Sequence, residues 1–156
     1  MSHIPDHYTP VHLIKRLMAI IYDLFLLISL LLVAGGIIST LAINYFNNGY
    51  AITDTHPAYT LYQISLLSSF FLLSFVFFGW FWTHGGQTLG MRTWRIQLIT
   101  ESGATISWKI AFVRFLAGLL SIMCFGLGFL WSLADSEKRT WHDILSDTRL
   151  IQLSKL

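Results

Sequence analysis

Charge and cysteine are both scarce in this 156-residue chain. Charged residues make up 12% of it, about half the ~25% usual in soluble domains. With 54% hydrophobic residues, such a chain calls for a membrane as its solvent, and its length allows one domain. The single cysteine, Cys124, sits in an apolar stretch. It can form no intrachain disulfide, and the chain has neither a CxxC pair nor Cys/His spacing of the zinc type. The net charge is only +2, and the cations cluster beside apolar runs. That pattern fits control of membrane topology and argues against nucleic-acid binding. His3, His7 and His12 fall in a polar N-terminal lead and read as a solvated end, not a metal site. The glycine-rich stretch Gly85 to Gly90 lacks the Lys-Ser/Thr of a Walker loop, since Met91-Arg92 follows it. No Ser/His/Asp or paired-carboxylate arrangement stands out as an active site. The chain is therefore expected to be no enzyme, with no cofactor and no metal.

What is present is organised around the first apolar run, residues 13–43. It opens with Lys15-Arg16 and carries Asp23 within it. It is too long for the ~7–15-residue core of a cleaved signal peptide, so it reads as an anchor that is kept. Gly35-Gly36 near its far end permit close helix contact. The loop Asn44 to Ala58 contains Asn47-Asn48-Gly49 and Pro57 and no Lys or Arg. A second span follows over residues 59–82, with aromatic belts at Tyr59/Tyr62 and Trp80-Phe81-Trp82. The alternation of Thr93 to Ile99, the turn Glu101-Ser102-Gly103 and the stretch Ala104 to Ser107 predict a small β-hairpin over residues 93–107. A third apolar region covers residues 108–134, and a tail of short helix then strand covers 135–156.

The cations conflict over that third region. Lys15 and Arg16 put the N-terminus in the cytoplasm, and Arg92 and Arg95 bring the hairpin back there. A single third span would export Lys138, Arg139, Arg149 and Lys155. A re-entrant helical hairpin turning near Phe125 to Gly128 keeps all of them inside, and it is the favoured reading; a single third span is the alternative. The hairpin also brings the tail beside the β-hairpin, where Arg149 to Leu153 could pair as a third strand. The expected fold is an all-α integral membrane protein: two long transmembrane helices, a third apolar region, and a small cytoplasmic β-hairpin or sheet. Membrane lipid is its expected partner.

An ionisable residue inside a span is a functional candidate by default. Arg16 and Asp23 lie seven apart and share a helix face, yet are about 10 Å apart along the axis. A partner for Asp23 from another helix is thus expected, with Arg114 foremost. Arg16 is expected either to reach the headgroups or to meet Asp143 of the returning tail. Asp143 and Asp147 share a face and look solvated. His142 beside Trp141 reads as an interfacial anchor. For Asp23, a fixed ion pair and a proton or cation site remain alternatives.

These residues resemble the bacterial RDD family over residues 13–153. The resemblance rests on Arg16, Asp23, the run Gly86-Gln87-Thr88-Leu89-Gly90-Met91-Arg92, Arg114, and Lys138-Arg139-Thr140-Trp141-His142-Asp143. The family pattern ends on Ala-Gly or Ser-Gly before the final Thr, where this chain has Ser146-Asp147. If that glycine takes positive φ, Asp147 inherits a strained position. The resemblance implies an inner-membrane protein with a structural loop at Gly86, Gln87, Thr88, Gly90 and Arg92. It also implies candidate transport, including exchange of a monovalent cation for protons; with so few spans to enclose a pathway, that reading needs a homo-oligomer. The alternative is a non-catalytic scaffold or accessory subunit whose buried charges are structural ion pairs.

Overall fold

The computed structural model describes residues 9–153; His3, His7 and Lys155 lie outside them. Within the described residues the order is β1 (Thr9–Pro10), α1 (Leu13–Asn47), α2 (Tyr59–Thr83), α3 (Leu89–Thr93), β2 (Ile96–Thr100), α4 (Trp108–Met123), α5 (Leu127–Ala134), α6 (Trp141–Leu145) and β3 (Thr148–Gln152). The helices α1 and α2 are each long and apolar enough to cross a membrane. At 35 residues, α1 extends about 52 Å, well beyond a hydrocarbon core of about 30 Å.

The chain divides into two compact units. One is Phe25–Val76, which holds most of α1 and α2. Here the ring of Phe70 lies 3.0 Å from where a Cβ on Gly35 would sit, so the glycine admits the aromatic ring. Ser39 and Tyr62 join the helices by a 2.8 Å hydroxyl pair.

The other unit combines the start of α1 up to Leu24 with the chain from Phe77 onward. Its centre is a three-stranded antiparallel sheet in the order β1-β3-β2. Leu98 faces Leu150 across the register and Thr100 faces Thr148. Alternate residues Ile96, Leu98 and Thr100 point inward. Ile96 and Leu98 pack with Val11, Ala19, Met91, Ile106, Ala111 and Leu150.

The sheet departs from the expected hairpin. The turn is present, with Gly103 at φ 72° and its N–H on the Thr100 carbonyl at 3.1 Å. Ala104 to Ser107, however, is not a strand. Ser107 instead caps α4, accepting from the Ile110 N–H at 3.3 Å, as serine before an apolar helix commonly does. The partner of β2 is β3, and Glu101 N–H extends that ladder to the Asp147 carbonyl at 3.0 Å.

The third apolar region is two helices, α4 and α5, meeting at a bend of 97°. The break at residues 124–126 carries Phe125 at φ 54° and Gly126 at φ 79°. A bilayer cannot divide a hydrogen-bonded sheet. Since β1 precedes α1, β2 follows α2 and β3 follows α5, all three junctions lie on one side of the membrane. The region that separates β2 from β3 therefore returns to the side it left.

Candidate functional site

The sheet-bearing unit holds two buried carboxylates, each in its own setting. Asp143 opens α6, and its Oδ2 accepts the Thr140 N–H at 3.0 Å. The same oxygen forms an ion pair with Nη1 of Arg16. Its Oδ1 accepts from Nη1 of Arg114 at 2.7 Å. One carboxylate thus joins α1, α4 and α6. Asp143 is fully buried, and the two arginines are 3% and 4% exposed. Further donors of both arginines are also placed, although the buried Arg114 Nε finds no hydrogen-bond partner among the described residues. Arg16 Nε donates to the Val11 carbonyl at 3.1 Å and Nη2 to the Lys138 carbonyl at 2.7 Å. Arg114 Nη1 also donates to the Thr148 hydroxyl at 2.7 Å, and its guanidinium lies 5.4 Å from the centre of the Trp82 ring.

Burial alone would raise the Asp143 carboxyl, but Arg114 and then Arg16 outweigh it and hold the group well below the usual carboxylate range. His142 follows the opposite logic. Burial, and next the positive charge of Arg114, pushes its imidazole down to about 3. It is neutral at pH 7, packed edge-on to Phe129 at 4.9 Å. It is no interfacial anchor, and Asp143 is not solvated. Asp147 is the exposed one, and it holds φ 48°, the left-handed conformation expected of the glycine it replaces.

Asp23 does not meet Arg114. It is 2% exposed and accepts the Thr88 hydroxyl on Oδ2 and the Gly90 N–H on Oδ1, the latter at 2.8 Å. The Thr88 oxygen in turn caps α3 by accepting the Met91 N–H at 3.1 Å. Asp23 therefore closes the start of α3 from outside. The loop is shaped for this. A Cβ on Gly90 would run into the Ala19 carbonyl and lie 3.0 Å from the Asp23 carboxyl. Gly86, at φ 69°, receives the Leu98 N–H on its carbonyl at 2.7 Å, and Gln87 Nε2 donates to the Ile96 carbonyl at 2.7 Å. Both bonds tie the loop to β2. Arg92, at the end of α3, is exposed.

A family model for the RDD family matches residues 10–147. The chain belongs to the RDD family. No curated protein matches it, and no solved structure does. The candidate residues drawn from the RDD pattern thus separate into two groups. Arg16, Arg114 and Asp143 form one cluster; Asp23, Thr88 and Gly90 form the other. Thr140, Thr148 and the carbonyls of Val11 and Lys138 also take part in the first cluster. Threonine before a helix is a capping signal that could have marked Thr140 and Thr88, but carbonyl acceptors leave no trace in side-chain pattern. Among the described residues, no three His, Cys, Asp or Glu side chains gather as a metal ion would need.

Proposed function

We propose that this chain is a non-enzymatic scaffold or accessory subunit of the bacterial inner membrane. Its buried charges hold the fold, and its N-terminus and sheet face the cytoplasm. The observation that carries the reading is the bridging of Arg16 and Arg114 by the single carboxylate of Asp143. A group held between two cations and a backbone N–H is occupied, and its chemistry is fixation. The orientation is supported by Lys15, Arg16, Arg92, Arg95, Lys138, Arg139 and Arg149 on the sheet side, against a loop of residues 48–58 without Lys or Arg.

One observation favours a second reading, exchange of a monovalent cation for protons at Asp23. This acid lies in a membrane helix, and no Lys or Arg forms an ion pair with it among the described residues; neutral donors alone hold it. Two spans enclose no pathway, so this reading requires a homo-oligomer. Proton-coupled Na⁺, K⁺ and Li⁺ flux in proteoliposomes separates the two. The scaffold reading expects wild type and Asp23→Asn both to match empty vesicles. Flux in the wild type that Asp23→Asn abolishes, in equally folded preparations, would overturn it.

A further inference from the structure

The elbow formed by α4 and α5 leaves much of its apolar surface uncovered. Arg114, Ser121 and Ser132 are turned inward and buried beside Ala111, Phe115 and Ala117, whereas Phe112, Leu116, Leu120, Leu130 and Leu133 are exposed. The corner is the extreme case: Phe125 is 97% exposed and Met123 78%. Charge appears only at the two open ends, at Lys109 and from Asp135 to Arg139, apart from the buried Arg114. In water such a surface would be strongly unfavourable. The elbow is also stiff. A Cβ on Gly128 would collide with the Ser121 side chain, so α4 and α5 touch nearly backbone to side chain at the corner.

Its dimensions limit how far it can go. The 16 residues of α4 make an arm of about 24 Å, and the 8 of α5 one of about 12 Å. With a bend of 97° between them, two such arms set with both open ends at one level place the corner about 11 Å below that level. Half a hydrocarbon core is about 15 Å. Both ends belong to the sheet side, because β2 and β3 are hydrogen-bonded.

We infer that the α4–α5 elbow is a wedge in a single leaflet, the one on the sheet side, and that its exposed surface binds the acyl chains of that leaflet. The occupant is lipid because the apolar surface is continuous around the corner and bounded by charge at both open ends. A shallow amphipathic insertion of this depth displaces lipid in one leaflet only.

The test places an environment-sensitive fluorophore on Phe125→Cys, and separately on Met123→Cys, in the Cys124→Ser background, reconstituted in phosphatidylcholine vesicles. Quenchers are carried on the upper acyl chain, at the chain terminus, or in the water as iodide. The expected result at both positions is quenching by the upper-chain probe roughly twofold stronger than by the terminal one, with little effect of iodide. Strongest quenching from the chain terminus would overturn the inference, because the corner then reaches the midplane. Strong iodide quenching would overturn it as well, since the corner is then in water. Indifference to every lipid quencher would mean that protein, such as a second copy, covers the surface. Agreement between the two positions guards against a variant that fails to fold.

Discussion

In the unit of residues 25–76, polar side chains mostly bond to their own helix. Ser29 donates to the Phe25 carbonyl, Thr40 to Gly36, Ser69 to Ser65 and Ser74 to Phe70, each four residues back. In the sheet-bearing unit, polar side chains reach across the chain. Arg16 finds Asp143 at a separation of 127 residues, and Thr88 finds Asp23 at 65. A hydroxyl that bonds to its own turn is satisfied in any environment and specifies no partner. A buried charge with a distant partner specifies one arrangement and penalises the others. The two units thus have nearly opposite uses for polarity: in one it makes helices compatible with lipid, and in the other it decides which segments meet.

The largest break in that contrast should come from Asp143→Asn. It leaves two buried guanidiniums sharing a neutral amide, and the expected loss is about 3–5 kcal/mol, read by denaturant unfolding in mild detergent. Replacing Arg16, Arg114 and Asp143 together with apolar residues should cost less than the single change, because no orphaned charge remains. A triple variant weaker than the single one would show that the charges contribute more than pairing.

Gly90→Ala comes next. The new methyl has to displace the Ala19 carbonyl or the Asp23 side chain, at about 1–3 kcal/mol. Faster proteolysis of the loop at residues 84–95 would report it. A variant as stable as wild type would mean that the Asp23 socket yields easily.

His142 and Asp143 predict a pH profile. The imidazole is pushed down to about 3 in the fold, against about 6.5 when unfolded. Between those values the unfolded chain binds the extra proton, so stability should fall as pH drops from about 6.5 towards 3. The Asp143 contribution, with its carboxyl depressed, is fully present above about pH 3.9 and is lost only at lower pH. His142→Gln should flatten the upper part of the profile. An unchanged slope there would assign the effect to other groups. The smallest effect is expected in the other unit, where Ser69→Ala should shift stability by no more than about 0.5 kcal/mol.

Much of this was legible in the chain itself. Two long apolar runs give α1 and α2, although α1 continues four residues past the apolar run, to Asn47. The arginines that a straight third span would have exported point to a returning path, which the shared sheet then requires. Asp147 announces its left-handed backbone because the family pattern carries glycine there. The partner of Arg114 was not legible: both Asp23 and Asp143 are acids within reach of a buried cation, and helical spacing does not say at what depth each one lies. The ion pair expected of Asp23 fails for the same reason, because its donors are a hydroxyl and a backbone N–H and neither looks like a charge partner. The strand expected after Gly103 is absent because Ser107 caps α4 and β3 takes the place beside β2.

That strand has a consequence for how the protein is made. β3 occupies the middle of the sheet, between β1 and β2, yet the ribosome delivers it after both. Asp143 likewise emerges 127 residues after the arginine it neutralises. Until residues 140–152 are made, Arg16 and Arg114 lack the carboxylate they share, and β1 and β2 have no neighbour between them. The unit can close only after its central strand has been translated, and a stalled chain lacking the segment from Thr140 onward would be left without the carboxylate that Arg16 and Arg114 share.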